Sequence, residues 1–459
     1  MPLTVIDGTL RASRLRHLAT STFCAAALAV MAACAPTQER VAPREEPAQP
    51  PAEAAVVDEL APALQEVLRE PEPPRDPRTR VALLLPLTGE RSGLGHAMLQ
   101  AAQLALFDVA DREFDLIIRD TRASASGAAE AAESALDAGA ELILGPIFSP
   151  AVEAVSPIAR DHDVAVLAFS NNHTVAGDGT FILGLLPAEQ VERIIGYAAS
   201  RGHTDFAVLA PDNAFGDLIT NAMRENAPRF AATVTRMETY DPRADDVSET
   251  VRRLTGYDQR EEALQARRRE LRNDNSSEAQ RELRRLRNAD VLGPPPFDAV
   301  LIPAGGSELQ ALAPLFPFFD VDPQDVQFLG TSEWNDRSLA RESTLAGGWF
   351  PAQPPEAWEV FADRYRETFD ATPPRLSALA YDATALAALL ARQEMNETPN
   401  ASPYTVERLT QRDGFSGVGG IFRLNPDGTA ERRYAILELQ PDELRVLDPA
   451  PASFRELLN

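Results

Sequence analysis

The sequence predicts an α/β protein built on two mainly parallel sheets with crossover helices on both faces. From Thr79 onward, short apolar runs alternate with segments of helical periodicity, a pattern typical of strand–helix–strand units. The runs before residue 331 are too numerous for one small sheet, so we expect two. The chain has 459 residues, of which 44% are hydrophobic, and this is enough to build two substantial cores.

The expected elements follow one another from residue 81. The strands are Val81–Leu85, Phe114–Arg119, Leu142–Leu144, Val164–Ala168, Phe206–Ala210, Thr233–Thr239, Ala299–Ile302 and Gln327–Gly330. The helices between them are Gly95–Asp111, Ala125–Ala138, Pro150–Asp161, Ala188–Arg201, Gly216–Asn226 and Val247–Thr255. Helical periodicity returns over Pro355–Gln393, and Gly420–Leu447 alternates as β-structure around a hairpin turn at Asn425–Gly428.

The N-terminal segment has the pattern of an export signal. Arg11, Arg14 and Arg16 precede a short apolar run, Phe23–Ala33, which is too short to span a bilayer permanently. Small residues directly before Cys34 resemble the lipobox of bacterial lipoproteins, and this resemblance implies that residues 1–33 are removed and that Cys34 is acylated. The alternative is an ordinary secretory signal in which Cys34 has no role.

The segment 34–78 is rich in Pro, Glu and Ala, a composition that favours extended chain over packed structure. We therefore interpret it as a tether between a membrane anchor and a folded body. Ala35, rather than aspartate, follows Cys34, and by resemblance to the sorting rule of enteric bacteria this favours the outer membrane. The expected location is the periplasm, with attachment to the membrane through the N-terminal lipid.

Composition and charge exclude several functions. The net charge is -25, so nucleic acid is not expected as a partner, because its phosphates would be repelled. The chain contains no lysine, which removes the P-loop lysine and any Schiff-base lysine. Gly93 and Gly95 follow the first strand, but the third glycine of a dinucleotide-binding loop is missing. We expect no cofactor.

Catalytic patterns are also missing. The histidines show no metal-ligand spacing, and Ser416 stands in Gly414-Phe415-Ser416-Gly417-Val418, which is not a nucleophile elbow. The protein is therefore expected to act by binding and not as an enzyme, without a metal. The three tryptophans, Trp334, Trp349 and Trp358, could line a ligand cleft or pack within the hydrophobic cores.

Residues 257–290 form an insert in which Glu and Arg recur at helical spacing. Residues 273–277 interrupt the pattern, so we expect a helical hairpin, with Ser277 as the cap of its second helix. Both a solvated surface excursion and a docking surface remain open for this insert.

Several turns resemble the leucine/isoleucine/valine-binding proteins of the periplasm. Pro86-Leu87-Thr88-Gly89, Leu144–Ser149, Val164–Asn172, Asp212–Gly216, Tyr381-Asp382-Ala383 and Phe415–Gly420 occur in the order and spacing of that family. The resemblance implies a type I periplasmic-binding-protein fold, with two Rossmann-like lobes joined by three crossings. It divides the chain into lobe 1 (79–187 and 352–419) and lobe 2 (188–351 and 420–459).

In that family a ligand binds between the lobes, and the resemblance carries its site onto five positions. Ser149 matches the first hydroxyl, Ser170 presents backbone, and Asn172 stands where threonine is usual. Ser307 replaces an aromatic cover, and Glu333 is the displaced acid. The scaffold is thus retained while the amino-acid clamp is altered.

A second resemblance, to lipoprotein activators of penicillin-binding proteins, accounts for this altered clamp. Their features include Arg201-Gly202, Ala210-Pro211-Asp212 and the arginine-rich stretch Arg284–Asp290. The long helical-repeat N-terminal domain of the enteric activators is not expected from the residues before Thr79. The resemblance implies a regulator that contacts a peptidoglycan synthase. The alternative is the substrate-binding lipoprotein of a branched-chain amino-acid transporter, with a small amino-acid-like ligand.

Overall fold

The computed structural model describes residues 78–109, 114–397, 402–441 and 443–454. The export signal, Cys34 and almost all of the tether lie outside these residues. The strands are β1 Thr79–Leu85, β2 Phe114–Asp120, β3 Leu142–Leu144, β4 Ala165–Ala168, β5 Thr180–Ile182, β6 Asp205–Pro211, β7 Thr233–Tyr240, β8 Ala299–Leu301, β9 Gln327–Leu329, β10 Trp349–Ala352, β11 Phe415–Gly417, β12 Gly420–Leu424, β13 Ala430–Arg432, β14 Ala435–Leu439 and β15 Leu444–Asp448.

Helices cover both faces of the sheets that these strands form. They are α1 Ser92–Val109, α2 Ala125–Asp137, α3 Ser149–Asp161, α4 Pro187–Ser200, α5 Ala214–Asn226, α6 Ser248–Leu254, α7 Tyr257–Asn273, α8 Ser277–Arg285, α9 Gly306–Leu312, α10 Leu315–Phe318, α11 Pro355–Phe369, α12 Ser377–Glu397 and α13 Val406–Leu409.

Two sheets of the same winding organise the chain. The first has the order β2-β1-β3-β4-β5 with every pair parallel. The second has the order β15-β14-β10-β9-β8-β6-β7, in which β7 to β10 repeat that winding and β14 and β15 add an antiparallel edge. The predicted α/β class with two doubly wound sheets is confirmed. The chain passes between the two lobes three times, near residues 183–186, 353–354 and 433–434.

Strands β5 and β10 were not expected from the sequence. β5 has only three residues and is bounded by Gly179 and Gly184. β10 contains Pro351 and follows a pair of glycines, features that usually argue against a strand in the sheet interior. β5 is fixed by pairing with β4, and β10 by pairing with β9 and with the distant β14, a signal that local patterns do not carry.

The C-terminal β-structure is divided between the lobes. Phe422, Leu424 and Ala430 pack in the core of the first lobe together with Val81 and Leu83. Strand β14, by contrast, pairs with β10 of the second sheet. The boundary expected at Gly420 is therefore displaced to the end of β13, because the hairpin of β12 and β13 buries its apolar face against the first lobe.

Gly95 explains the glycine-containing turn after β1. A Cβ atom at this position would lie 2.0 Å from the carbonyl oxygen of Pro86, so only glycine lets the first turn of α1 approach the strand end so closely. Around Gly93, by contrast, no atom lies within 4 Å of the corresponding position. The turn thus serves helix–strand packing.

The insert is a helical hairpin, as predicted, formed by α7 and α8. Its second helix is capped by Ser276 and not by Ser277: the Ser276 hydroxyl oxygen accepts from the amide of Ala279 at 3.1 Å. The expected cap was displaced by one residue because Ser277 itself already has helical geometry. Leu264 and Leu271 are buried and fix α7 against its surroundings.

The tryptophans pack within the lobes. Trp334 is fully buried in the second lobe and donates its indole N–H to the carbonyl of Ile302 at 3.0 Å. Trp358 lies in a cluster with Phe361 and Tyr365, and Trp349 contacts the ring of Tyr197 edge-on. None of the three is part of the cavity wall described below.

Candidate ligand cleft and the crossings between the lobes

A cavity of about 290 Å³ lies between the two lobes, at the carboxyl ends of their parallel strands. In doubly wound sheets this edge is where ligands bind, because loops and helix N-termini converge there. The wall residues are Ile147, Phe148, Ser149, Phe169, Ser170, Asn171, Leu185, Gln190, Phe215, Thr331, Ser332, Glu333 and Leu376.

Two hydroxyl groups meet on the wall of the first lobe. The Ser149 and Ser170 oxygens are 3.0 Å apart, and the Ser170 oxygen also accepts from the amide of Asn172 at 3.2 Å. Ser170 is 3% exposed, whereas Ser149 opens helix α3 at the cavity edge. No side chain caps this helix start, which leaves a partly positive end beside the cavity.

Among the described wall residues, Glu333 is the one carboxylate, and it comes from the second lobe. Its carboxyl is accessible from the cavity, but desolvation by the surrounding protein raises its pKa above the ordinary value. The described wall residues include no cation, so from them a ligand carboxylate could receive hydrogen bonds only from hydroxyls, side-chain amides and backbone amides. The cavity thus suits a small ligand with an amine or a neutral hydrogen-bonding group near Glu333.

Three of the five expected cleft residues, Ser149, Ser170 and Glu333, come together in this wall. Asn172 does not: its side-chain oxygen turns away and accepts from the amide and hydroxyl of Thr174, at 3.0 and 2.9 Å. Ser307 is exposed in the first turn of α9, outside the wall. Asn172 therefore stabilises a turn, and Ser307 takes no part in the wall.

Sequence reasoning missed Gln190 and Phe215. The Gln190 side chain is 4% exposed, and its oxygen accepts from the amide of Ser332 at 2.8 Å, which fixes the loop that carries Glu333. Phe215 supplies an aromatic surface from the start of α5. The Asp212–Gly216 turn already carried the family resemblance, so Phe215 could have been found there, whereas Gln190 left no local signal.

A buried polar cluster lies where the three crossings converge. Asp382, 2% exposed on α12, accepts from the amides of Val418 and Gly419 at 2.7 and 2.9 Å. A Cβ atom at Gly419 would lie about 3 Å from the side chains of Gln353, Arg432 and Asp382 alike. The crossing segments thus pack closely around this glycine, and a side chain here would displace the polar ends of these three residues.

Arg432 is the cation of this cluster and is 3% exposed. It donates to the carbonyl of Leu183 in the first crossing at 2.8 Å, and its backbone amide donates to Glu189 at 3.2 Å. Burial raises the pKa of Asp382 to about 6 and that of Glu189 to about 8, although Arg432 opposes both shifts. The charge of one buried arginine therefore stabilises the ionised forms of two buried carboxyl groups.

Comparison with known proteins places this architecture. A family model described as periplasmic binding protein matches residues 78–443. The chain belongs to this family. Among solved structures, a putative branched-chain amino acid ABC transporter protein of Rhodospirillum rubrum superposes with a TM-score of 0.63 at 16% identity, over 81% of this chain and all of that one. This likeness confirms the type I periplasmic-binding-protein fold.

Sequence relatives match shorter stretches. A penicillin-binding protein activator LpoA of Photobacterium profundum is 28% identical over 167 residues, which is 36% of this chain and 27% of that protein. An uncharacterised protein of Rickettsia prowazekii is 28% identical over 112 residues, 24% of this chain and 30% of that protein. The matches thus span less than a third of these relatives, and they confirm the resemblance to the activators at this level of identity.

Among the described residues, none of the helices combines the length and the apolar composition needed to cross a bilayer. Within the same ranges, no three His, Cys, Asp or Glu side chains come together as metal ligands would.

Proposed function

We propose that the protein is a periplasmic regulator that binds a peptidoglycan synthase of the penicillin-binding type and stimulates it by contact. The observation that carries this proposal is the sequence match to penicillin-binding protein activators, found on a periplasmic binding scaffold. The altered cleft supports it, since Asn172 and Ser307 do not line the cavity and the described wall residues offer no cation for a ligand carboxylate. The action is binding and not catalysis.

The same proposal includes the attachment. Acylation of Cys34, with residues 34–78 as tether, would hold the folded body at a distance from the outer membrane and let it reach a synthase. Metabolic labelling with an alkyne-bearing fatty acid tests this part, because Cys34→Ser should abolish the label while Cys24→Ser should leave it.

The decisive experiment uses the purified full chain and a purified penicillin-binding synthase from the same cell. We expect saturable binding and a rise in the rate of glycan polymerisation or cross-linking as the protein is added. Ser307→Ala, outside the cavity, and Ser149→Ala, within it, should both retain stimulation if contact alone is responsible. If the wild-type protein neither binds the synthase nor changes its rate, the proposal fails.

A second candidate function is solute binding for a transporter, and the convergence of Ser149, Ser170 and Glu333 favours it. A ligand at 100 times its Kd stabilises the folded state by about 2.7 kcal/mol. For about 370 ordered residues, an unfolding entropy near 2.1 cal/mol/K per residue turns this into a rise in Tm of about 3 °C. Thermal-shift screening of amino acids tests it: Ser149→Ala should reduce the shift, and Ser307→Ala should preserve it.

A further inference from the structure

The outer part of the insert carries a positive charge that contrasts with the rest of the molecule. Residues 267–287 contain eight arginines and four carboxylates, a net charge of +4 in a chain whose net charge is -25. A surface patch of one charge sign attracts partners of the opposite sign. This patch is positive although the chain as a whole is negative, so its electrostatic potential is suited to an acidic partner.

The arginines of this segment fall into two groups. Arg267 pairs with Glu270 and Glu282, Arg281 pairs with Glu278, and Arg268 donates to the carbonyls that end the hairpin. The remaining five are exposed and make no side-chain hydrogen bond and no contact ion pair with any described residue. They are Arg269, Arg272, Arg284, Arg285 and Arg287.

The hairpin is held rigidly at its base. Arg260, 8% exposed, donates to the carbonyl of Gly293 at 2.9 and 3.1 Å and to Asp320 at 3.1 and 3.2 Å. The amide of Leu292 in turn donates to the carbonyl of Arg260 at 3.0 Å, which closes the two ends of the insert. The arginines are thus presented on a preorganised support, which lowers the entropic cost of binding.

An exposed aromatic side chain lies beside this base. Phe318 is 73% exposed, while its neighbour Phe319 is buried and contacts the ring of Tyr257 at the start of α7. Arginine and aromatic side chains are the residues most enriched in protein–protein interfaces. Phe318 would be an apolar anchor at the base of the hairpin that carries the arginines.

We infer that these five arginines and Phe318 form the docking face for an acidic surface of a protein partner. The inference rests on the proposed function, in which that partner is the synthase. Charge complementarity selects an acidic surface as the occupant, and the sequence match to penicillin-binding protein activators selects a protein as its bearer. A localised acidic patch can face the hairpin alone, since charges beyond about 8 Å are largely screened at physiological salt.

The test compares two variants of the full chain with equal change in charge. The hairpin variant replaces the five unpaired arginines by Gln. The control variant replaces five exposed arginines that are already paired with carboxylates elsewhere: Arg122, Arg160, Arg229, Arg366 and Arg445. Binding to the purified synthase is measured by biolayer interferometry at 50 and 200 mM NaCl, after circular dichroism has shown both variants to be folded.

We expect the hairpin variant to bind at least tenfold more weakly at 50 mM salt, mainly through a lower association rate, and to lose most of its salt dependence. The control variant should stay within about threefold of the wild type. Phe318→Ala should raise the dissociation rate instead. A photo-crosslinker at the exposed Gln280 should label a synthase segment of net negative charge, which supports the inference even if the hairpin variant proves unstable.

Three results would overturn the inference in distinguishable ways. If the wild-type protein binds the synthase and both variants bind equally well, the docking face lies elsewhere while the proposed function stands. If the wild-type protein does not bind the synthase at all, both fail. If the hairpin-dependent binding is to vesicles containing 30% phosphatidylglycerol, and not to the synthase, the occupant is a membrane.

Discussion

Replacement of Arg432 by methionine tests the role of the polar cluster at the crossings. Methionine fills a similar volume but leaves Asp382 and Glu189 without their buried cation. Removing one partner of a buried charge pair costs about 3–5 kcal/mol. Arg432 acts on both carboxyls through space and not through a contact ion pair, so the lower end of that range applies, with the lost hydrogen bond to the Leu183 carbonyl included. At pH 8 we expect a loss of about 3 kcal/mol, which corresponds to a Tm lower by about 4 °C for about 370 ordered residues.

The loss of stability in the Arg432 variant should depend on pH. Both carboxyls have pKa values in the folded state above their unfolded values, so the folded state binds their protons more tightly. Their contribution to the free energy of unfolding is therefore largest at low pH. It is lost as the pH rises through about 6 for Asp382 and about 8 for Glu189. Without Arg432 these pKa values rise further. The deficit of the variant should therefore shrink, to about half, between pH 8 and pH 5.

The assay is urea unfolding followed by circular dichroism at pH 5 and pH 8. Arg445→Met is the matched control, because Arg445 is exposed and its pair with Glu438 is a surface pair worth at most about 1 kcal/mol. Equal losses for the Arg432 variant at both pH values would refute the electrostatic account. So would a loss at pH 8 no larger than that of the control.

Two further substitutions test the packing and the insert. Gly330→Ala places a Cβ atom 2.2 Å from the buried Trp334 ring and should lower the free energy of unfolding by at least about 2 kcal/mol. Gly93→Ala lies in open space within α1 and should be neutral or slightly stabilising. Thermal unfolding of both variants measures this difference. Arg260→Met removes the hydrogen bonds at the base of the hairpin. Amide hydrogen exchange should therefore accelerate across residues 257–290 while the amides of the two sheets stay protected. An equal change of exchange rate in the hairpin and in the sheets would contradict this account.

Local patterns were sufficient for most of the fold. Apolar runs located the strands from β1 to β4 and from β6 to β9, because the inner strands, such as β1, β3 and β8, are almost wholly buried, and the edge strands β2 and β7 still carry several apolar residues between turns. They could not reveal β10, whose Pro351 is tolerated because neighbouring strands fix the backbone around it. The helix cap was predicted at Ser277 and lies at Ser276, because two adjacent serines are equivalent caps in the sequence and only the helix geometry selects one of them.

The site was less accessible to sequence reasoning. Ser149, Ser170 and Glu333 follow strand ends, and that position alone brings them to the cleft. Asn172 follows a strand as well, but its short amide also satisfies a nearby backbone amide, and this local bond turns it away from the cavity. Arg432 and Asp382 meet only after three separate crossings have formed, so no sequence spacing announces them.

The division of the C-terminal strands has a consequence for synthesis. The core of the first lobe contains Val81 and Ala430, which stand near opposite ends of the described chain, and neither lobe is a continuous segment. A nascent polypeptide therefore cannot complete its first lobe until β13 has been translated, and contacts of such long sequence separation fold slowly. A product that stops before β12 would expose an unfinished apolar interior, and quality-control proteases should remove it instead of tolerating a half-active fragment.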